Sequence, residues 1–255
     1  MNNIGIALSG GGARGAAHIG VLQALNENGI FPDRVSGTSA GSITGALYCE
    51  GYSPKEILKI SHNKAFLKIF KIGFLNKGLT ELTYLKDFLR VHLKSDDFRS
   101  LKLPLHVCVS NINSGKFEII SEGKLIEVLA ASCALPLLFK SVKINGDTYV
   151  DGGLLNNLPV EPLLKQCKKV IGVSVCPHET RENVKGMKNM AERCLQLAIW
   201  GTMQHRLNQC NISLEIEKSF KFGMFDVKKS QELFDIGYDA TIQRIDEIKE
   251  KLTIK

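Results

Sequence analysis

Three stretches of this chain hold residue types spaced for acyl transfer. Gly37-Thr38-Ser39-Ala40-Gly41 has the G-x-S-x-G spacing of a strand-to-helix elbow, which holds a serine hydroxyl clear of the backbone. Its glycines fit because side chains there would collide with the neighbouring strand and helix. Gly10-Gly11-Gly12-Ala13-Arg14-Gly15 offers a run of backbone N–H groups at a helix N-terminus, where partial positive charge favours an anion. Asp151-Gly152-Gly153 places a carboxylate at a strand end, and the two glycines let it approach another turn closely. A serine hydroxyl is a poor nucleophile unless a base lies within hydrogen-bond reach, so Ser39 is the expected nucleophile and Asp151 the expected base.

Each stretch also has a plainer reading. Gly10-x-Gly12-x-x-Gly15 satisfies the dinucleotide-binding pattern, which would make the chain a nucleotide- or phosphate-binding regulatory protein. That pattern expects an acidic residue about 20 residues on, at the end of the second strand. Gly37-Thr38-Ser39 stands there instead, and Asp33 comes before the strand. G-x-S-x-G also arises by chance, and Asp-Gly-Gly is a good turn in its own right. The combination of the three favours the catalytic reading.

The elements that must position these residues follow from hydrophobic period and turn signals. Ile4–Ser9 reads as a buried strand, Ala13–Asn28 as a helix closed by Gly29, Arg34–Ser36 as a strand, and Ala40–Cys49 as a small-residue helix. Ser53-Pro54-Lys55-Glu56 has the form of a capping box, and Leu82–Leu93 is amphipathic. Strands are expected at Leu105–Ser110 and Lys116–Ser121 around Asn113-Ser114-Gly115, and at Val142–Ile144 and Thr148–Val150 around Asn145-Gly146-Asp147. Lys124–Cys133 reads as a buried helix that stops before Pro136, Pro159–Cys167 as a helix, and Val170–Val175 as a strand. Beyond these, helices are expected over about 184–208 and 230–252, with a short strand at Ile212–Ile216. Strands alternating with helices point to a three-layer α/β/α fold with a mixed central sheet.

Composition sets outer limits. With 255 residues, 44% hydrophobic and 23% charged, the chain can bury one large core, and a single domain over 1–255 is expected. Its seven cysteines are odd in number and mostly lie within apolar runs, as expected for reduced, buried thiols in a cytoplasmic setting. Cys176, His178, Cys194, His205 and Cys210 lack the short ligand spacing of zinc sites, so no metal is expected. Met1-Asn2-Asn3 lacks the basic start of a signal peptide, and no stretch approaches the roughly 20 apolar residues of a membrane span. The net charge of +7 favours anionic partners, among which charge alone does not choose.

Histidine is not the expected base. In α/β-hydrolases the order is Ser, acid, His, and the nucleophile follows several strands of the sheet; Ser39 leaves room for only two before it. His18, His62 and His92 fall in helices and His106 in a strand, while His178 and His205 are late enough but sit in no motif.

In these residues the chain resembles the patatin-like phospholipase family. The matching blocks are Gly10 to Gly15, Gly37 to Gly41, Ala131-Ser132-Cys133-Ala134-Leu135-Pro136-Leu137-Leu138-Phe139, and Asp151-Gly152-Gly153, in the family's order and rough spacing. The likeness is good over Ile4 to Val175 and vague beyond Cys176. It implies a Ser39–Asp151 dyad without histidine that hydrolyses acyl esters of lipids, phospholipids or lysophospholipids through an acyl-serine, with no cofactor. Backbone N–H groups around Gly11, Gly12 and Arg14 would hold the oxyanion. An exposed aspartate near pKa 3.9 is a feeble base at neutral pH, so apolar walls from Leu135 to Phe139 are expected to raise Asp151. A lipid-sensing adaptor with weak catalysis would share this fold, although intact Ser39 and Asp151 argue against an inactive one. No nucleic-acid partner is expected.

Lys64 to Lys77 combines four lysines with eight apolar residues and no acid, and Phe66, Ile69, Phe70 and Phe74 recur at helical spacing. A basic, aromatic-bearing segment of this kind suits a lid or a contact with an anionic membrane surface, placing the protein in the cytoplasm at the membrane periphery. The alternative is a core-facing helix with solvated lysines.

Overall fold

The computed structural model describes residues 3–63, 82–176, 180 and 183–253. Its sheet contains β1 (Ile4–Leu8), β2 (Arg34–Gly37), β3 (Leu105–Asn111), β4 (Lys116–Ile120), β5 (Val142–Ile144), β6 (Asp147–Asp151), β7 (Lys169–Ser174) and β8 (Ile212–Glu215). The order is β5-β6-β3-β2-β1-β7-β8, with β4 also paired to β3. The β2-β1-β7-β8 half is parallel, whereas β4 and β6 run antiparallel to β3, so the sheet is mixed. The helices are α1 (Ala16–Glu27), α2 (Ala40–Glu50), α3 (Pro54–Ser61), α4 (Thr83–His92), α5 (Leu125–Ser132), α6 (Glu161–Gln166), α7 (Met187–Gly201), α8 (Gln204–Leu207), α9 (Ser230–Ile242) and α10 (Ile245–Leu252). None of the described helices is long and apolar enough to cross a membrane.

The layering is written in the alternation of β1. Ile4, Ile6 and Leu8 join the large cluster formed with α1, α2, α5 and α9. Ala7 belongs to the smaller cluster with Leu163 of α6 and Leu207 of α8, and Gly5 faces Leu163 and Cys167. Because successive strand residues point to opposite faces, one side carries the branched side chains and the other the small ones, under helices that pack close. The three-layer α/β/α reading is correct.

Several expected elements end elsewhere, for local reasons. The helix expected over Ala13–Asn28 begins with a 3-10 turn at Gly12–Gly15 and turns α-helical only at Ala16. Gly12 sits at φ +61°, and the Ala13 N–H is drawn to the Met224 carbonyl at 2.8 Å. At its far end Gly29 takes φ +75°, as a helix-closing glycine does. The helix expected over about 184–208 divides into α7 and α8 at Thr202, whose hydroxyl donates to Ile199 O and accepts the Asn157 N–H. The one expected over 230–252 divides where the Arg244 guanidinium turns to Ser213 O. The capping box is present, with the Ser53 hydroxyl accepting the Glu56 N–H and the Glu56 carboxylate accepting the Ser53 N–H across the first turn of α3.

β3 sets the geometry of everything that follows. Gly37, the last residue of β2, pairs with Val107, and Asp151, the last residue of β6, pairs with Val109. The two strands run in opposite directions and both stop beside the same step of β3.

Candidate active site

Ser39 stands between the end of β2 and the start of α2 at φ +51°, ψ −123°. Such a conformation costs a non-glycine residue on the order of 1–3 kcal/mol and persists only where the surroundings impose it. Here the Ser39 N–H donates to the Ser132 hydroxyl at 2.9 Å, and that hydroxyl donates to Cys108 O at 2.7 Å. On the other side the Ser39 carbonyl accepts the Ser42 hydroxyl at 2.7 Å. The elbow's glycines are required by contact: a Cβ on Gly37 would stand 2.6 Å from the Gly41 backbone, and one on Gly41 would strike the Leu8 and Ser9 carbonyls.

Asp151 is 4% exposed. Its N–H donates to Ala134 O at 2.9 Å, and its Oδ1 accepts the Gly153 N–H at 2.8 Å. Burial pushes its pKa up to about 6, against the pull of the Gly153 N–H and the Ser39 hydroxyl, both of which favour the ionised form. Asp151 is thus matched to proton transfer near neutral pH while remaining largely ionised there.

The glycine-rich loop brings a third component. The Gly10 N–H is taken up by Asn157, the Ala13 N–H by Met224 O, and the Arg14 N–H by Gly11 O at 3.3 Å. Among the described residues the Gly11 and Gly12 N–H groups have no acceptor, and both glycines line the cavity. Arg14 differs from the expectation for it. It is buried, its Nε donates to Phe222 O at 2.8 Å, and its guanidinium lies over the Phe220 ring. Arg14 is therefore a tie between the loop and the C-terminal part of the chain, and its amide is already engaged.

Ser39, Asp151, Gly10, Gly11 and Gly12 share one cavity of about 70 Å³. Its walls are apolar: Ile43, Leu82, Leu85, Leu135 and Phe139 from one part of the chain, and Ile199, Met224 and Phe225 from the other. Of the residues singled out from sequence, Gly15, Gly37, Gly41, Gly152 and Gly153 lie behind these as spacers rather than as lining. No histidine among the described residues lines the cavity; His205 is exposed on α8, and His178 and the segment from Lys64 to Lys77 lie outside the described residues. All seven cysteines are free; Cys49 and Cys108 are buried as expected, whereas Cys133, Cys167, Cys176 and Cys210 are half-buried and Cys194 is exposed.

Two residues of the site went unread in the sequence. Ser132 clamps the elbow; it was named only within the block from Ala131 to Phe139, and its signal was a serine at the end of a helix that is apolar but for Glu127. Asn157 joins the glycine-rich loop to the segment after Asp151, and its signal was an asparagine placed in a turn between Gly153 and Pro159. Met224 and Phe225 carried no signal.

The patatin-like phospholipase family model matches residues 6–164. Among curated proteins, lysophospholipase NTE1 of Kluyveromyces lactis is 35% identical over 185 residues, and that of Meyerozyma guilliermondii is 34% identical over 183. Each alignment takes in 68% of this chain and 12% of the longer protein, so the chain corresponds to a small part of those relatives. The uncharacterized protein YqhO of Bacillus subtilis is 28% identical over 249 residues, covering 84% of both chains. Among solved structures, VipD from Legionella pneumophila matches with a TM-score of 0.59 at 17% identity, over 97% of this chain and 67% of that one, which is a likeness of fold.

Proposed function

We propose that this chain, which belongs to the patatin-like phospholipase family, hydrolyses carboxylic acyl esters of lipids, with Ser39 as nucleophile and Asp151 as base. The observation that carries the reading is the convergence of a serine held at positive φ, a buried carboxylate with pKa near 6, and two amides with no acceptor among the described residues on one apolar cavity. Asp151 takes the proton as Ser39 Oγ attacks the ester carbonyl, and the Gly11 and Gly12 N–H groups receive the oxyanion. The tetrahedral intermediate collapses to acyl-Ser39, and Asp151 returns the proton to the leaving alcohol. Water then gives a proton to Asp151 and attacks the acyl-serine, and as the second tetrahedral intermediate collapses Asp151 passes that proton to Ser39 Oγ, releasing the fatty acid and restoring both residues. The apolar walls suit the acyl chain, and the lysophospholipase names of the relatives support a lipid ester as substrate. Residues 1–255 act in this reading as one hydrolase domain, because parts of the chain on both sides of residue 176 wall the same cavity.

The test is labelling by a fluorophosphonate alongside turnover of a lysophospholipid and a short soluble ester. The parent should be labelled and active, while Ser39→Ala should lose label and lower turnover by a factor on the order of 10⁴ or more without changing the thermal melt. An active, folded Ser39→Ala would remove Ser39 from the mechanism. An unlabelled, inactive parent would favour the lipid-sensing adaptor or nucleotide-binding alternative.

The second part of the reading concerns Lys64 to Lys77, proposed as a contact with anionic membrane on the strength of four lysines and no acid. Replacing Lys64, Lys68 and Lys71 with Gln should weaken binding to anionic vesicles by about 1 kcal/mol per charge, and salt should mimic the change. Equal binding to neutral and anionic vesicles would show the segment to be a core helix with solvated lysines.

A further inference from the structure

The peptide unit joining Ser9 to Gly10 is held at both of its polar ends. Its carbonyl, on Ser9, faces Nε2 of His18 at 2.8 Å. Its N–H, on Gly10, faces Asn157, with Oδ1 at 3.1 Å and the backbone carbonyl at 3.3 Å. A carbonyl only accepts, so Nε2 of His18 carries the proton and Nδ1 a lone pair. Nδ1 is buried with no partner among the described residues. Burial lowers the His18 pKa to about 4, so the ring is neutral wherever Asp151 is ionised. Apart from its Nε2–H, this ring occupies a place that phenylalanine would fill with no orphaned acceptor. The hydrogen bond to Ser9 is what distinguishes the two.

What the clamp governs is the next step of the chain. Gly11 and Gly12 follow directly, and glycine at position 10 gives the backbone no stiffness of its own. Asn157 is itself held from behind, with its N–H on Thr202 Oγ1 at 3.0 Å and its Nδ2 on Met203 Sδ at 3.2 Å. It also belongs to the segment that continues from Asp151-Gly152-Gly153, so the carboxylate's own loop reaches across to the amide loop. We propose that His18 and Asn157 are positioning residues which together fix the Ser9–Gly10 peptide plane and so aim the Gly11 and Gly12 N–H groups at the oxyanion. This rests on the hydrolase reading above.

The experiment compares His18→Phe, His18→Gln, Asn157→Ala and the double variant His18→Phe/Asn157→Ala on a short soluble ester. His18→Phe should lower kcat by about 10- to 100-fold with KM within about twofold, because misaimed donors weaken the transition state rather than ground-state binding. His18→Gln, which restores an N–H donor of similar reach, should recover most of that loss. The double variant should fall little below the worse single one, since both act on one peptide plane. If His18→Phe does not fold, Asn157→Ala makes the same kcat-against-KM comparison from the other side of the peptide. Full kcat in a folded His18→Phe, no rescue by Gln, or losses that multiply in the double variant would overturn the clamp while leaving an active, labelled parent. A parent that neither turns over esters nor takes the fluorophosphonate overturns the hydrolase reading itself, and the clamp with it.

Discussion

Residues 4–175 and residues 183–253 both give apolar wall to the same cavity, but the polar groups of the site come from the first region. The first region supplies the polar groups: Ser39 at positive φ, the buried Asp151 carboxylate, and the Gly11 and Gly12 amides, which have no acceptor among the described residues. The second supplies apolar surface from Ile199, Met224 and Phe225, together with the carbonyls of Phe222 and Met224, which hold Arg14 and Ala13 of the glycine-rich loop. Their burial differs in the same sense. β1, β3 and most of β7 are buried along their length, whereas Met187 and Met190 on α7 are 89% and 50% exposed. Polar geometry of the first kind tolerates few residue types, and an apolar wall of the second kind tolerates many.

The strongest way to break that division is to remove the carboxylate. Asp151→Asn should lower kcat/KM by a factor on the order of 10³ or more, because no other base lines the cavity among the described residues. In the parent, kcat/KM should rise with pH through about 6 and then level, as Asp151 ionises. The same substitution should raise stability. Asp151 titrates near 6 when folded and near 3.9 when unfolded, so between these values the folded state holds the extra proton and stability falls as pH rises. Above pH 6 that loss is complete, about 3 kcal/mol, and Asn abolishes it. His18 has the opposite sign: its folded pKa of about 4 lies below the ordinary 6.5, so it favours folding at high pH and disfavours it as pH falls through that window. Between about pH 4 and 6 the two slopes oppose each other. Urea unfolding at pH 4.5 and 7.5 should show parent stability changing less across that interval than stability of Asp151→Asn, which keeps only the histidine's slope. A variant less stable than the parent at pH 7.5 would mean that burial does not set the Asp151 pKa.

A smaller effect is expected in the second region. Phe225 is 41% exposed and lines the cavity, so Phe225→Ala removes only part of an apolar contact, about 1 kcal/mol, or roughly fivefold. That loss should appear in KM for a long-chain ester and be much weaker for a short one, since the substitution leaves the backbone carbonyl of Met224 on Ala13 untouched. An equal fall in kcat for both esters would place part of the chemistry in this region.

The same difference explains what was legible in the sequence. Gly37, Gly41 and Gly12 mark places where a side chain would strike backbone or where φ is positive, so their presence in order announces the turns. The alternation of strands with helices along the chain announced the layers. The place of the Arg14 side chain was not legible because its partners, Phe222 O, Cys176 Sγ and the Phe220 ring, come from the far end of the chain, and no local pattern encodes them. The helices expected over 184–208 and 230–252 were each read as continuous because their periodicity is continuous. What interrupts them are tertiary bonds, Thr202 with Asn157 and Arg244 with Ser213. Ile199, Met224 and Phe225 look like any other apolar residues until the fold gathers them.

The smallest expected effect is the one most able to overturn the division. His178 and His205 are the only histidines placed after Asp151, where a Ser-acid-His order would require them. His205 is exposed on α8 and absent from the cavity lining. With Asp151 as base, replacing both with Gln should leave kcat/KM within about twofold of the parent on a short ester, whereas losing the histidine of a triad costs on the order of 10⁴. The pH–rate profile gives a second reading, since its acid limb near 6 should stay in place when only Asp151 sets it. A folded double variant that loses both rate and limb would move the base from β6 into the part of the chain after residue 176, and the second region would then supply chemistry as well as wall.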